Sequence, residues 1–306
     1  MEHFIGLADL TPARFRRLLS RAIELKDEWK AGGNRPYLQG KTLGMVFQKP
    51  SLRTRVSFEM GMIHLGGQAL YLSPFEIRLG EREGVPDVAR VLSRYVDIIM
   101  ARVFSHSDIL TLAEYSSVPV INGLSDYNHP CQGIADFLTI VERMGMDLQG
   151  RRLVFIGDGN NVSTSLLFGA ALLGMDFFIV GPPGFELPSE VWELGQGFAS
   201  VSGAQLVATA DPEEAVAGAD AIYTDVWASM GQEEQAEERA RRFMPYQVNE
   251  TLVSKAKPGV IVMHCLPAHR GQEITDGVCD GPHSVLWDQA ENRMHAQKAV
   301  LVELLA

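Results

Sequence analysis

The segment Lys49-Pro50-Ser51-Leu52-Arg53-Thr54-Arg55-Val56-Ser57-Phe58-Glu59 is the most chemically loaded part of the chain. Pro50, Ser51 and Thr54 favour a helix start, and a helix N-terminus offers free backbone N–H groups and a positive dipole end to an anion. Adding the hydroxyls of Ser51 and Thr54 and the guanidiniums of Arg53 and Arg55 makes a phosphate site. The plainer alternative is a capped helix whose arginines are merely solvated. The cluster directly follows an apolar β-type run, and open α/β sheets bind ligands at the carboxyl ends of their strands, which favours a ligand.

Two other clusters invite chemistry and carry less of it. Gly157-Asp158-Gly159-Asn160-Asn161-Val162 has the look of a dinucleotide fingerprint, but Val162 stands where the third glycine belongs. The acidic residue wanted about 20 positions later is also missing, since that stretch reads Val180-Gly181-Pro182-Pro183-Gly184. A nicotinamide cofactor is therefore not expected. His264, Cys265 and His269 suggest zinc, yet the other cysteines show no paired ligand spacing and a structural zinc wants four protein ligands. No metal is expected. A thiol nucleophile at Cys265 lacks the local signature of any such class.

The elements that must position these residues alternate. Thr11-Pro12 caps a helix whose apolar positions Phe15, Leu18, Leu19, Ala22, Ile23 and Trp29 recur at helical spacing until Gly32-Gly33. β-type runs at 42–47, 69–72, 98–101 and 118–122 then alternate with helical patterns starting near Arg53, Pro86, His106 and Pro130. A second alternating set has β-type runs at 152–156, 177–180, 205–208, 221–224 and 260–263. The expected fold class is α/β: two lobes, each a mostly parallel sheet flanked by helices. The first covers residues 1–146 and the second 147–287, with a C-terminal helix, 288–306, capped by Asp288 and packing back towards the first lobe.

Composition bounds the rest. A chain of 306 residues suits about two domains, and 46% hydrophobic with 21% charged residues is an ordinary globular balance. The net charge is −11, so no overall basic field draws nucleic acid or anionic lipid, and any anion must be met by local cations. Cys131, Cys265 and Cys279 are an odd, widely spaced set that fits free thiols in the cytoplasm. No export signal and no membrane-spanning run is apparent.

Ser-x-Arg-Thr-Arg followed by Val-Ser-Phe-Glu resembles the carbamoyl phosphate signature of the aspartate/ornithine carbamoyltransferase family. His129-Pro130-Cys131-Gln132 matches that family's His-Pro-x-Gln, and Arg102 its additional phosphate-binding arginine. Asp225-Val226-Trp227-Ala228-Ser229-Met230-Gly231 and His264-Cys265-Leu266-Pro267 resemble the ornithine branch specifically, and the stretch from Asp288 to His295 matches the family's C-terminal pattern around Arg293. The resemblance runs from about Leu7 to Leu305.

It implies transfer of a carbamoyl group from carbamoyl phosphate to the δ-amine of L-ornithine, giving L-citrulline and phosphate, as in arginine biosynthesis. It implies that Ser51, Leu52, Arg53, Thr54, Arg78, Arg102, His129, Gln132, Cys265, Leu266 and Arg293 bind carbamoyl phosphate, and that Asn161, Asp225, Ser229 and Met230 bind ornithine. Arg102, His129, Cys265 and Asp225 are the catalytic candidates, and Asp225, His264 and Cys265 are expected beside the amine. Arg53, Arg55, Arg102 and Arg293 are expected to converge on the anion. The resemblance implies no cofactor, and it implies a homotrimer or an assembly of trimers with sites shared between subunits. Arg78 departs from the family's usual glutamine at a cross-subunit position, and Leu52 from its frequent threonine. The alternatives are another amine acceptor, such as N-acetylornithine or putrescine, and a non-catalytic anion-binding homologue.

Overall fold

A computed structural model describes residues 2–228 and 236–306 of the chain. The chain divides into two compact units. One comprises Met1–Leu138 together with Glu291–Ala306, and the other Thr139–Ala290.

In the first unit, four parallel strands, β1 (Thr42–Phe47), β2 (Gln68–Leu72), β3 (Ile98–Arg102) and β4 (Val120–Leu124), run in the order β2-β1-β3-β4. β3 and β4 are buried along their whole length, as strands covered by helices on both faces must be. The chain pairs β2 on one side of β1, then crosses to lay β3 on the other. The strand order therefore reverses between β1 and β3, and the crevice beyond their carboxyl ends is where such a sheet takes a ligand. Ser51 follows β1 and Arg102 closes β3. The β3–β4 register shifts between Ala101 and Arg102, a local irregularity that re-aims a side chain at a sheet rim.

β4 begins two residues later than the β-type run from 118. Pro119 has no N–H to give the ladder, and only its carbonyl is used, accepting from Ile99 N–H at 2.9 Å. The first helix is Pro12–Lys30, with the Thr11 side chain accepting from Arg14 N–H at 3.2 Å. The last helix, Leu286–Leu305, starts earlier than expected. Asp288 lies inside its first turn and pairs with Arg143 rather than capping it. From Glu291 onward this helix belongs to the first unit, where Lys26 Nζ donates to Asn292 Oδ1 at 2.7 Å and Arg14 pairs with Glu303 at 2.6 Å.

The second unit has five parallel strands, β5 (Arg152–Ile156), β6 (Asp176–Val180), β7 (Leu206–Thr209), β8 (Ala221–Thr224) and β9 (Ile261–His264), in the order β7-β6-β5-β8-β9. Its order reverses between β5 and β8, so the residues just after those strands, Asn160 and Asp225 among them, sit at the corresponding crevice. The core under this sheet includes Val154, Ile156, Ile222, Val262 and Leu286.

Candidate active site

The candidate anion-binding residues lie in the first unit. Ser51 is the N-cap of the helix Leu52–His64; its Oγ accepts from Thr54 N–H at 3.2 Å and bonds Thr54 Oγ1 at 3.1 Å. Thr54 Oγ1 also accepts from Arg293 Nη2 at 2.9 Å. Arg293 Nη1 donates to Gln132 Oε1 at 2.6 Å, and Gln132 Nε2 donates to Asp136 Oδ1 at 2.7 Å. Thr54, Gln132, Asp136 and Arg293 are all buried.

His129 precedes the helix Pro130–Met144 and is buried. Its approach loop is held by Asn122, whose Nδ2 donates to Ile5 O at 3.0 Å and to Asn128 Oδ1. The pKa of His129 lies well below the ordinary imidazole value, first because burial penalises the cation and then because of the positive charges of Arg293, Arg102, Lys49 and Arg53. Those four cations thus act on one point, which is the convergence expected of Arg53, Arg102 and Arg293, with Lys49 as a member the motif reading left without a role. Burial, with Arg102 second, lowers the Lys49 pKa to about 8. Arg55 does not join them: it is paired with Glu59 at 3.7 Å and lies 4.0 Å over the Tyr71 ring.

Leu52, 75% exposed, is the first residue of its helix and brings a terminal backbone N–H group rather than a side chain. Arg78 stands apart from the buried chain. It has φ 46°, a left-handed backbone unusual for a non-glycine residue. Its guanidinium pairs with Glu81 at 3.0 Å, beside a hollow of about 440 Å³ lined also by Gln48, Phe75 and Phe104.

The second group of candidate residues lies in the second unit. Asp225, just after β8, is buried and accepts from Asn160 Nδ2 at 3.0 Å, from Val226 N–H at 2.8 Å and from the Cys265 thiol at 2.9 Å. Asn160 caps the helix Asn161–Leu173, so Asn161 opens that helix directly beyond β5. Gly159 lets this turn form: a Cβ there would lie 2.3 Å from the backbone oxygen of Glu186. Cys265 and Leu266 follow β9. Leu266 has φ 60° and a cis bond to Pro267. Ser229 and Met230 lie outside the described residues.

His264 lies beside Asp225 and Cys265, as expected, but its ring is held from behind. Its Nδ1 accepts from Leu266 N–H at 2.8 Å and its Nε2 bonds Glu273 at 3.2 Å, with both side chains fully buried. It shapes the Cys265–Leu266 turn. Asp225, His264 and Cys265 do offer ligand atoms within 4.8 Å of one another, but the hydrogen bonds just described use both ring nitrogens, so this donor set suits a hydrogen-bonded cluster better than a metal ion. Arg239, which the motifs did not single out, donates to the Trp227 carbonyl and pairs with Asp158, anchoring the loop after Asp225. A pocket of about 570 Å³ beyond β5, β6 and β7 is lined by Gly157, Pro182, Phe185 and Trp192, none of them from the cluster around Asp225.

Comparison with known proteins agrees with these two halves. Residues 2–142 match the aspartate/ornithine carbamoyltransferase carbamoyl-P binding domain, and residues 149–304 match the Asp/Orn binding domain of the same family. The chain is 54% identical over 299 residues to an ornithine carbamoyltransferase of Pyrococcus abyssi, covering 98% of this chain and 94% of that protein. It is 54% identical over 295 residues to the anabolic ornithine carbamoyltransferase of Pyrococcus furiosus, covering 96% and 93%. Among solved structures, the ornithine carbamoyltransferase from Pyrococcus furiosus matches with a TM-score of 0.96 at 52% identity, covering 99% of this chain and 97% of that one. With its anion-binding crevice after β1 and β3, its Asp225–Cys265 cluster after β8 and β9, and these relatives along nearly its whole length, the chain belongs to the aspartate/ornithine carbamoyltransferase family.

Proposed function

We propose that the protein transfers the carbamoyl group of carbamoyl phosphate to the δ-amine of L-ornithine, forming L-citrulline and phosphate, in the service of arginine biosynthesis. The observation that carries the reading is the pair of ligand sites with opposite charge logic. Arginines and a lysine surround His129 in the first unit, and a buried carboxylate, Asp225, holds the Cys265 thiol in the second.

In the reaction the neutral amine nitrogen forms a bond to the carbamoyl carbon. The C–O bond to phosphate breaks, the electron pair leaves on phosphate, and the amine loses a proton. Ser51, Leu52 through its N–H, Arg53 and Thr54 hold the departing phosphate. Arg102, His129 and Arg293 polarise the carbamoyl carbonyl. Preorganised donors of this kind are commonly the largest single catalytic contribution, worth about 10² to 10³ in turnover for one donor. The depressed His129 pKa keeps this imidazole uncharged at neutral pH, so it offers one N–H to the carbonyl without protonating it. Asp225 takes the α-ammonium of ornithine and Asn161 its carboxylate, with Ser229 and Met230 as further ornithine-binding residues. Cys265 and the Leu266 carbonyl lie against the δ-amine, whose aqueous pKa of about 10.4 the site must bias towards the neutral form.

No described helix is long and apolar enough to cross a membrane, in keeping with a cytoplasmic enzyme. A homotrimer fits the outward face of the helix Leu52–His64, where Leu52, Val56, Met60 and Ile63 are all exposed. In such a trimer Arg78, facing outward with Glu81, serves the phosphate of a neighbouring site. Incubating the purified protein with carbamoyl phosphate and, separately, ornithine, N-acetylornithine, putrescine and aspartate tests the reading. Citrulline with equimolar phosphate is expected from ornithine alone; ureido product from another amine, or from none, overturns it.

A further inference from the structure

We infer that Asp136 is a specificity-determining positioning residue, setting the polarity of the Gln132 amide so that the site selects a carbamoyl group over other acyl groups. A glutamine amide has a donor end and an acceptor end of nearly equal size, and only its neighbours decide which way it faces. Here both ends are fixed. Arg293 is a pure donor, so the atom it meets at 2.6 Å is Oε1; Asp136 presents carboxylate oxygen at 2.7 Å and draws Nε2. Asp136 is 0% exposed and Gln132 1% exposed, so water does not compete for either end.

The consequence concerns the other substituent on the transferred carbonyl carbon. A carbonyl oxygen has two acceptor positions, and Arg293 fills one on Gln132 Oε1. The second suits an N–H donor such as the carbamoyl NH₂. An acetyl group presents only C–H there and leaves that acceptor unsatisfied, and a buried polar group left unpaired is the strongest source of such discrimination. Asp136 is one helical turn beyond Gln132 in the helix Pro130–Met144, so it reaches the amide with no change in backbone. It touches no substrate and acts through Gln132.

The inference rests on the reading of Gln132 as the carbamoyl NH₂ acceptor, and one experiment separates the two. The dissociation constants of carbamoyl phosphate and acetyl phosphate are measured by calorimetry for the full-length protein and for Asp136→Leu and Asp136→Asn. The parent protein should prefer carbamoyl phosphate; equal affinities would remove the role of Gln132 itself. Asp136→Leu, which takes away the acceptor while keeping the branched outline of the side chain, should reduce that preference about tenfold while acetyl phosphate binds as before. Asp136→Asn, whose amide oxygen still accepts, should keep it. A preference unchanged in Asp136→Leu, or a parallel loss of both ligands in both variants, overturns the role of Asp136. If the leucine variant does not fold, Asp136→Ser, too short to reach Gln132, answers the same question by the same ratio.

Discussion

Lys49 and His129 share one field, and the same downward shift leaves them in opposite charge states at neutral pH. Burial together with neighbouring cations lowers both pKa values, so the imidazole stays uncharged at neutral pH while the amine keeps its charge only up to about pH 8. The sign follows directly. Below about pH 8 Lys49 is cationic and strengthens phosphate binding, and above it that charge is lost. The inhibition constant of inorganic phosphate should therefore rise between pH 7.5 and 9, by up to about tenfold as the charged fraction falls. In Lys49→Arg, whose guanidinium stays protonated, the curve should be flat. A flat curve for the parent protein would detach Lys49 from the anion.

The same scale shows what motifs reveal. Ser51, Arg53, Thr54, His129, Gln132 and Arg293 were legible because their types and order carry the chemistry. Arg55 stands apart from the other cations because its guanidinium is taken up by Glu59 and the Tyr71 ring, contacts between side chains that the motif does not encode. Asp136 and Glu273 were not legible, since a carboxylate's role there is set by burial and by a partner's hydrogen bonds. A carboxylate four residues after the glutamine was the one available signal for Asp136.

At the scale of elements, the loop after β5 depends on a glycine where no side chain fits. Gly159 donates its N–H to Phe185 O at 2.8 Å, and a methyl group would press into the Glu186–Leu187 backbone. Gly159→Ala should cost about 1–3 kcal/mol in chemical denaturation, and should raise the ornithine KM by displacing Asn160 from Asp225. An unchanged KM with lowered stability would show that the two are not coupled. Most strands were visible from their apolar runs, because parallel strands buried on both faces read as continuous β-branched and aliphatic sequence. Their ends were less visible: Pro119 moved β4, and the last helix began before Asp288 because nothing in the local sequence marks Leu286 as its start.

At the scale of the whole molecule, the outer face of the helix Leu52–His64 is a surface in want of a partner. Leu52 is 75%, Val56 47% and Ile63 53% exposed, more apolar exposure on one side of a helix than isolated surface residues account for. In the proposed homotrimer this face is covered by another copy. Val56→Asp should then shift the mass measured by light scattering from trimer towards monomer and abolish turnover, with the far-ultraviolet spectrum unchanged because the side chain is not in the core. A monomeric parent protein would end the proposal.

The division of the first unit into Met1–Leu138 and Glu291–Ala306 has a temporal meaning. Arg293 bonds Thr54 and Gln132, yet it is translated after the whole of the second unit. During synthesis the buried hydroxyl and amide must wait, incompletely satisfied, for more than half of the chain to leave the ribosome. A nascent chain therefore has no finished grip on its anionic substrate until its last helix has been made and docked.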